Sequence, residues 1–374
     1  MKITAPWISA AKPVCDMLTD AGHSAWFVGG CVRNALLDEP VADIDISTAA
    51  HPKTVMALAE KAGFNAIPTG IDHGTVTVVA NHEPYEITTL RKDVATDGRR
   101  AVVAFAETLE EDARRRDFTM NALYALPDGT IVDPLDGLPD LHARRFVFIE
   151  DPDQRIKEDY LRILRFFRFH AWYGKDGIDA EGLAACAENV DGLDQLSKER
   201  IGSELLKLLL APDPAPALAS MASIGALLRI LPGACHESLA VLIHTEEEAN
   251  LKPDPIRRLA CIGGEDAQNN LRLSKDQAKQ LAILRDGATL NETAFNHGAE
   301  LAIDQAAILA ATMGQPLAPD TKTRATFAAK QVFPLSAGDL MPTHQGAALG
   351  KALKAAQARW IASDFTLGKD DLLA

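Results

Sequence analysis

The chain has 374 residues, 47 % of them hydrophobic and 24 % charged, which is long enough for two or three cores and globular in composition. No apolar run approaches the roughly eighteen positions that a membrane helix needs, which argues against a spanning protein. A net charge of −14, from 38 basic and 52 acidic residues, argues against a protein that coats nucleic acid by overall basicity, so any such contact must be local.

At the start of the chain, Lys12, Pro13 and Asp16 interrupt the apolar run that an export signal requires. Cys15, Cys31, Cys186, Cys235 and Cys261 are scattered, with no C-x-x-C pair. Together these predict a cytoplasmic protein with reduced thiols. Up to about residue 145 the apolar period switches between 2 and 3.6, which predicts a mixed α/β domain.

Residues 26–28 read as a strand that runs into Gly29-Gly30 and then a helix over 32–37. Two glycines at that junction let backbone amides approach a phosphate, and Arg33 adds charge one turn along, so a triphosphate fits; an ordinary strand-to-helix turn fits as well. Asp43 and Asp45 alternate with Ile44 and Ile46, which predicts a strand with both carboxylates on one face. Such a pair is favourable when divalent cations neutralise it. Pro52 and Gly63 bracket a helix. Residues 75–79 and 85–90 predict a hairpin with a five-residue turn, and Glu86 faces opposite to Tyr85 and Ile87 as a third candidate carboxylate. Solvent-facing positions of half-buried strands are the competing reading for these acids. Arg114 to Arg116 place basic charge at the end of a helix.

From Asp151 onward the strand signals fade and helical periodicity continues to residue 374. Over residues 155–169 a single helix is predicted, with Ile156, Tyr160, Leu164, Phe167 and Ala171 on one stripe. Glu158, Arg162 and Arg165 share the opposite face, with Asp159 and Arg168 at its edges, available to a ligand or simply salt-bridged to one another. Three prolines within 212–216 end a helix, which sets a boundary there.

A phosphate cradle followed within about fifteen residues by D-x-D marks a nucleotidyltransferase head. The stretch FVGGCVRNALLDEPVADIDIST resembles the first motif of the class II tRNA nucleotidyltransferases, the CCA-adding enzymes, and of their relatives the bacterial poly(A) polymerases. The family residue after the arginine is usually aspartate, where Asn34 stands here. Residues 115–123 resemble the second motif, which implies that Arg116 and Asp117 read the ribose hydroxyls and that Asn121 belongs to the nucleotide site. Glu158-Asp159-x-x-Arg162 resembles the E-D-x-x-R motif, whose aspartate and arginine act as a template for the base. A carboxylate and a guanidinium so placed pass C and A and reject U and G. Arg165 and Arg168 would line the same site.

Residues 93–100 resemble the family's flexible loop, a polar segment between a strand and a helix that lets the site switch from CTP to ATP. Residues 69–78 resemble the tRNA-directed branch, and residues 199–209 a fifth family motif. Residues 336–341 and 350–353 also look like family segments.

The resemblance implies an α/β head with a polymerase-β-like mixed sheet over 1–145, an all-α neck that recognises the base over 146–211, and a helical body and tail that bind tRNA over 212–374. It implies template-independent addition of CCA to the tRNA 3′ end from CTP and ATP. Asp43 and Asp45 would hold Mg2+, with Glu86 as a possible third ligand, and Gly29, Gly30 and Arg33 would hold the triphosphate. A-only addition, polyadenylation and a nucleotide-binding regulator without turnover are the alternatives.

Overall fold

Alternation of buried and half-buried side chains marks the strands of the first part of the chain, as in Thr75–Ala80, where Val76, Val78 and Ala80 are buried. The computed structural model describes the backbone of residues 1–97, 100–341 and 343–374, and side chains within these ranges except at Asp72 and residues 93–103. Contacts gather it into two compact units, 1–197 with 223–226, and 198–222 with 227–374.

In the first unit, helix α1 (Pro6–Thr19) precedes β1 (Ala25–Val28), α2 (Gly30–Leu36), β2 (Asp45–Thr48) and α3 (Pro52–Lys61). Strands β3 (Asn65–Gly70), β4 (Thr75–Ala80) and β5 (Glu83–Thr89) follow. They join a seven-stranded sheet in the order β3-β4-β5-β2-β1-β8-β9, with β8 at Tyr124–Ala125 and β9 at Ile131–Val132. The β2/β5 pair is parallel and every other pairing in this sheet is antiparallel, so the mixed sheet expected of the head is present. The parallel pair sets Asp45 directly beside Glu86.

The β4/β5 turn is shorter than the five residues expected. Asn81 and His82 both take positive φ, 52° and 67°, and a two-residue turn of that hand matches the strand twist, so the strands run on to Ala80 and from Glu83. The segment expected to be a polar loop, residues 93–100, departs from that reading over most of its length. β6 (Arg91–Asp97) and β7 (Arg100–Phe105) pair antiparallel, while Gly98 and Arg99 lie outside the described residues.

Helix α4 (Leu109–Arg114) opens with a capping box from Thr108 and Glu111. After α5 (Leu138–Ala143), the single helix expected over 155–169 is two: α6 (Pro152–Glu158) and α7 (Leu161–Tyr173). Asp159 separates them in an extended conformation, φ −156° and ψ 104°, and its Oδ1 accepts from the Leu161 N–H at 3.1 Å. The carboxylate thus takes up a backbone donor that a continuous helix would use. The helices of this segment pack with the sheet unit through phenylalanines: Phe118 lies 4.8 Å from Phe148, Phe148 5.4 Å from Phe166, and Phe146 stacks on Phe169 at 5.2 Å. α8 (Ala180–Glu188) completes the group.

The second unit is helical, beginning with α9 (Lys198–Leu209). The prolines end α9 without separating one unit from another. Its terminal carbonyls, at Leu209 and Ala211, accept from the buried guanidinium of Arg258, which Glu246 pairs at 2.7 Å. The contacts therefore divide the chain at Ser197, where the sequence suggested cuts at 145 and 211. All five cysteines are unpaired, and no helix among the described residues is long and apolar enough to cross a membrane.

Two glycines within helices of the second unit separate packing from propensity. A Cβ on Gly202 would sit 1.9 Å from the Leu271 carbonyl oxygen, whereas one on Gly350, at an exposed position of the helix Gly346–Ala362, meets nothing within 4 Å. Gly202→Ala should destabilise by about 2 kcal/mol or more, and Gly350→Ala should be neutral or stabilising by about 0.5 kcal/mol. Urea unfolding of both variants checks this, and equal stabilities would contradict the packing.

Candidate active site

The strand-to-helix junction that carries Gly29 has a firm requirement for glycine. Gly29 has φ 70°, and a Cβ there would lie 3.3 Å from Arg116 Nη1 and 3.6 Å from the Asn121 carbonyl oxygen. Gly30, which opens α2, has only ordinary contact room, with Arg33 Nη2 at 3.9 Å.

Arg33, one turn into α2, is 6 % exposed. Its Nε and Nη2 donate to Asn34 Oδ1 at 3.2 and 2.8 Å, Nη1 donates to Asn121 Oδ1, and Nη2 donates to the Tyr173 hydroxyl at 3.1 Å. Among the described residues no carboxylate lies within ion-pair distance of it. Burial lowers its pKa, the expected result for a cation held by neutral groups. Asn34 also donates from Nδ2 to the Pro40 carbonyl at 2.7 Å.

Asn121 continues the chain of bonds by donating from Nδ2 to Asp117 Oδ1 at 2.9 Å. Asp117 Oδ1 also accepts from the Phe118 N–H at 3.0 Å, and Oδ2 takes both Nε and Nη2 of Arg165, at 2.7 and 2.6 Å. Four donors fill its lone pairs, so a ribose hydroxyl bonding to Asp117 would have to displace one of them. Burial alone would raise the Asp117 carboxyl, but Arg165 and Asn121 outweigh it and hold it at about 2.

Arg116 pairs with the fully buried Asp112 at 3.1 Å and donates from Nε to the Tyr124 hydroxyl at 3.1 Å. Asp112 accepts as well from Arg115 Nε at 2.8 Å and from the Tyr124 hydroxyl at 2.8 Å. Burial is again opposed, here by Arg116 and Arg115, and Asp112 is held at about 2. Asp112 and Tyr124 escaped the sequence reading. The available signal was the spacing of Asp112 three and four residues before Arg115 and Arg116.

On the sheet, Asp45 opens β2 and Asp43 is exposed two residues before it, so only Asp45 of the pair lies on the strand. Burial first, and then Glu86, push the Asp45 carboxyl up to about 6, while Arg116 pulls it down and Asp43 adds to the rise. A carboxyl whose ionisation its acidic neighbours oppose in this way fits a divalent cation. Among the described residues no three His, Cys, Asp or Glu side chains are gathered as a metal cage.

The proposed base readers sit at the α6/α7 break. Arg162 is directed toward its own surroundings: Nη1 donates to Glu158 and to the Arg155 carbonyl, and Nη2 donates to the Arg115 carbonyl at 3.3 Å. Glu158 also takes Arg155. A cavity of about 230 Å3 lined by Lys92, Glu111, Arg114, Arg115, Arg155 and Glu158 lies beside this cluster. Further along α7, the guanidinium carbons of Arg33, Arg165 and Arg168 lie 5.1, 5.1 and 4.0 Å from the centre of the Phe169 ring.

Comparison with known proteins adds to this geometry. Residues 25–147 match the poly A polymerase head domain, and residues 177–237 match a domain described as "probable RNA and SrmB- binding site of polymerase A". The CCA-adding enzyme of Streptococcus gordonii is 41 % identical over 219 residues, 58 % of this chain and 54 % of that protein. That of Leuconostoc citreum is 42 % identical over 225 residues, 60 % of this chain and 54 % of that one. The chain thus spans about half the length of the curated relatives it matches. A crystal structure of the Bacillus stearothermophilus CCA-adding enzyme in complex with CTP superposes with TM-score 0.78 and 28 % identity, covering 96 % of this chain and 94 % of that one. The Thermotoga maritima CCA-adding enzyme complexed with tRNA, at 17 % identity and TM-score 0.70, covers 99 % of this chain and 95 % of that one and shares the fold.

The two depressed carboxyls make a pH test. Each lies below its ordinary value of 3.8, so its contribution to stability is complete above about pH 4 and is lost as pH falls toward 2. Asp112→Asn and Asp117→Asn should each lower stability at pH 7 by about 2 to 4 kcal/mol. The deficit should shrink as pH falls through that window, and urea midpoints measured from pH 2 to 7 would refute the assignment by showing a constant gap.

Proposed function

We propose that the chain, which matches a poly A polymerase head domain and is similar to CCA-adding enzymes, is a CTP/ATP:tRNA nucleotidyltransferase that builds or repairs the tRNA 3′-terminal CCA without a nucleic-acid template. The observation that carries the reading is the unbroken run of side chains from the Gly29-Gly30 turn through Arg33, Asn121 and Asp117 to Arg165, with Asp45 and Glu86 paired on the adjoining sheet. Cationic groups are assembled for a polyphosphate on one side and carboxylates on the other.

In this reading Gly29, Gly30 and Arg33 bind the triphosphate. Arg116 and Asp117, supported by Asn121, orient the ribose. Asp159 and Arg162 read the base by accepting from the exocyclic amine of cytosine or adenine and donating to the ring nitrogen, and Arg165 and Arg168 flank them. Since Arg162 already donates to Glu158 and to two backbone carbonyls, base pairing requires it to exchange one of these acceptors for the nucleotide. Asp43 and Asp45 would hold Mg2+, with Glu86 beside Asp45; when bound, it supplies neutralisation of charge at the reacting phosphate. The primer's 3′ hydroxyl attacks the α-phosphate in line, the new ester bond forms, the bond to the β-phosphate breaks, and pyrophosphate leaves. The reading carries a cytoplasmic location, where tRNA, CTP and ATP meet, and a tRNA-binding role for the helices after residue 212.

Purified protein given tRNA transcripts that lack CCA, end after the second C, or are complete, with CTP and ATP singly and together, separates CCA addition from A addition and from open-ended polyadenylation. Addition that stops at CCA is expected, and unlimited A tails would overturn the reading. Asp43→Ala combined with Asp45→Ala should abolish incorporation of both nucleotides, a loss of at least about a thousandfold. Asp159→Ala and Arg162→Ala should retain pyrophosphate release while admitting UTP and GTP; unchanged selectivity in both would refute the base-reading role.

A further inference from the structure

We propose that Tyr173 is the positioning residue for Arg33, and thereby for the nucleotide's triphosphate, acting through its phenol oxygen and its ring face at once. The inference rests on the reading of Arg33 as a triphosphate ligand. Tyr173 is the last residue of α7, and it reaches α2 from another part of the first unit. Its hydroxyl accepts from Arg33 Nη2 at 3.1 Å, and its ring centre lies 4.4 Å from the Arg33 guanidinium carbon. One turn earlier on the same helix, Phe169 offers Arg33 a second ring, at 5.1 Å.

The chemistry of these partners decides the role. A buried guanidinium can be fixed by a carboxylate, but the pair is then neutral and has little attraction left for a phosphate. Arg33 is fixed by two amide oxygens, a phenol and two ring faces, all neutral. Its geometry is thereby set while its charge is kept. Phe169 also carries Arg165 and Arg168 over its ring, and Arg165 is already paired with Asp117, whereas Arg33 is held by neutral groups. Of the neutral partners, Tyr173 is the one whose oxygen can be removed without changing shape.

The test compares wild type with Tyr173→Phe, Tyr173→Leu and Arg33→Ala, using calorimetric binding of inorganic tripolyphosphate and steady-state incorporation of CMP and AMP. Tyr173→Phe, which keeps the ring and the packing, should weaken tripolyphosphate binding and raise KM for CTP and ATP alike by about tenfold. Its kcat should stay within about twofold of wild type, with the choice of C and A over U and G unchanged. Tyr173→Leu should lose about fiftyfold, since the ring face goes too. Wild-type tripolyphosphate affinity in Tyr173→Phe, with Arg33→Ala impaired, would overturn the role of Tyr173 and leave the Arg33 reading standing. Unimpaired tripolyphosphate binding in Arg33→Ala would overturn both. Altered base choice in Tyr173→Phe without loss of tripolyphosphate affinity would assign Tyr173 to the base and likewise overturn the inference.

Discussion

The ion pair in which two Arg165 nitrogens bond one oxygen of Asp117 is the interaction on which the candidate site depends. Asp117 follows the turn after α4, while Arg165 lies in the middle of α7, so the pair fixes a helix against the segment that returns to the sheet. Because Asp117 also holds Asn121, and Asn121 accepts from Arg33, the position of the glycine turn is linked to α7 through three side-chain contacts. A buried pair of this kind adds little net stability compared with apolar packing, but breaking it leaves a charge without its partner. Its contribution is to geometry: it makes one arrangement of α2 and α7 far better than its neighbours.

That arrangement separates charge. On the strand side, Glu86 stands beside Asp45 and raises the cost of ionising it, and on the helix side three guanidiniums lie near the Phe169 ring. In the proposed function the carboxylates would face a metal ion and the arginines the phosphates of a nucleoside triphosphate. The overall charge of −14 is therefore a poor guide to what the chain binds. In that reading, attraction for a polyanion would be concentrated on one helix face and one turn, and little of it would extend beyond a screening length.

Much of this was legible where local chemistry decides it. The Gly29-Gly30 junction, the strand that carries Asp45, the outward face of Glu86 and the buried Leu164 and Phe167 of α7 all follow from period and residue type, whereas Asp43 falls before that strand. The break between α6 and α7 was not, because the apolar stripe continues across it at helical spacing while Asp159 withdraws one backbone donor. The β6/β7 hairpin hid behind polar composition, although its register is set by backbone pairing that composition does not record. Pairing of Asp45 with Glu86 was beyond local pattern too, since the two residues lie on strands separated by α3, β3 and β4 and meet only in the folded sheet.

The distribution of partners among the arginines shows what the site is built to leave open. Arg115 and Arg116 share the buried Asp112, and Arg165 has Asp117, so each of the three has a carboxylate partner within the protein. Arg33 has amides, a phenol and aromatic faces in place of a carboxylate. Asn34 shows why the neutral partner belongs there: its oxygen accepts from Arg33 while its nitrogen donates to the Pro40 carbonyl, and a carboxylate could do only the first. The permanent ion pairs thus hold the scaffold in register, and the cation next to the glycine turn is held equally firmly by groups that do not neutralise it. In the proposed function a site that binds a highly charged substrate and releases charged products would gain from that division, because Arg33 would have no internal carboxylate to release when the phosphates arrive.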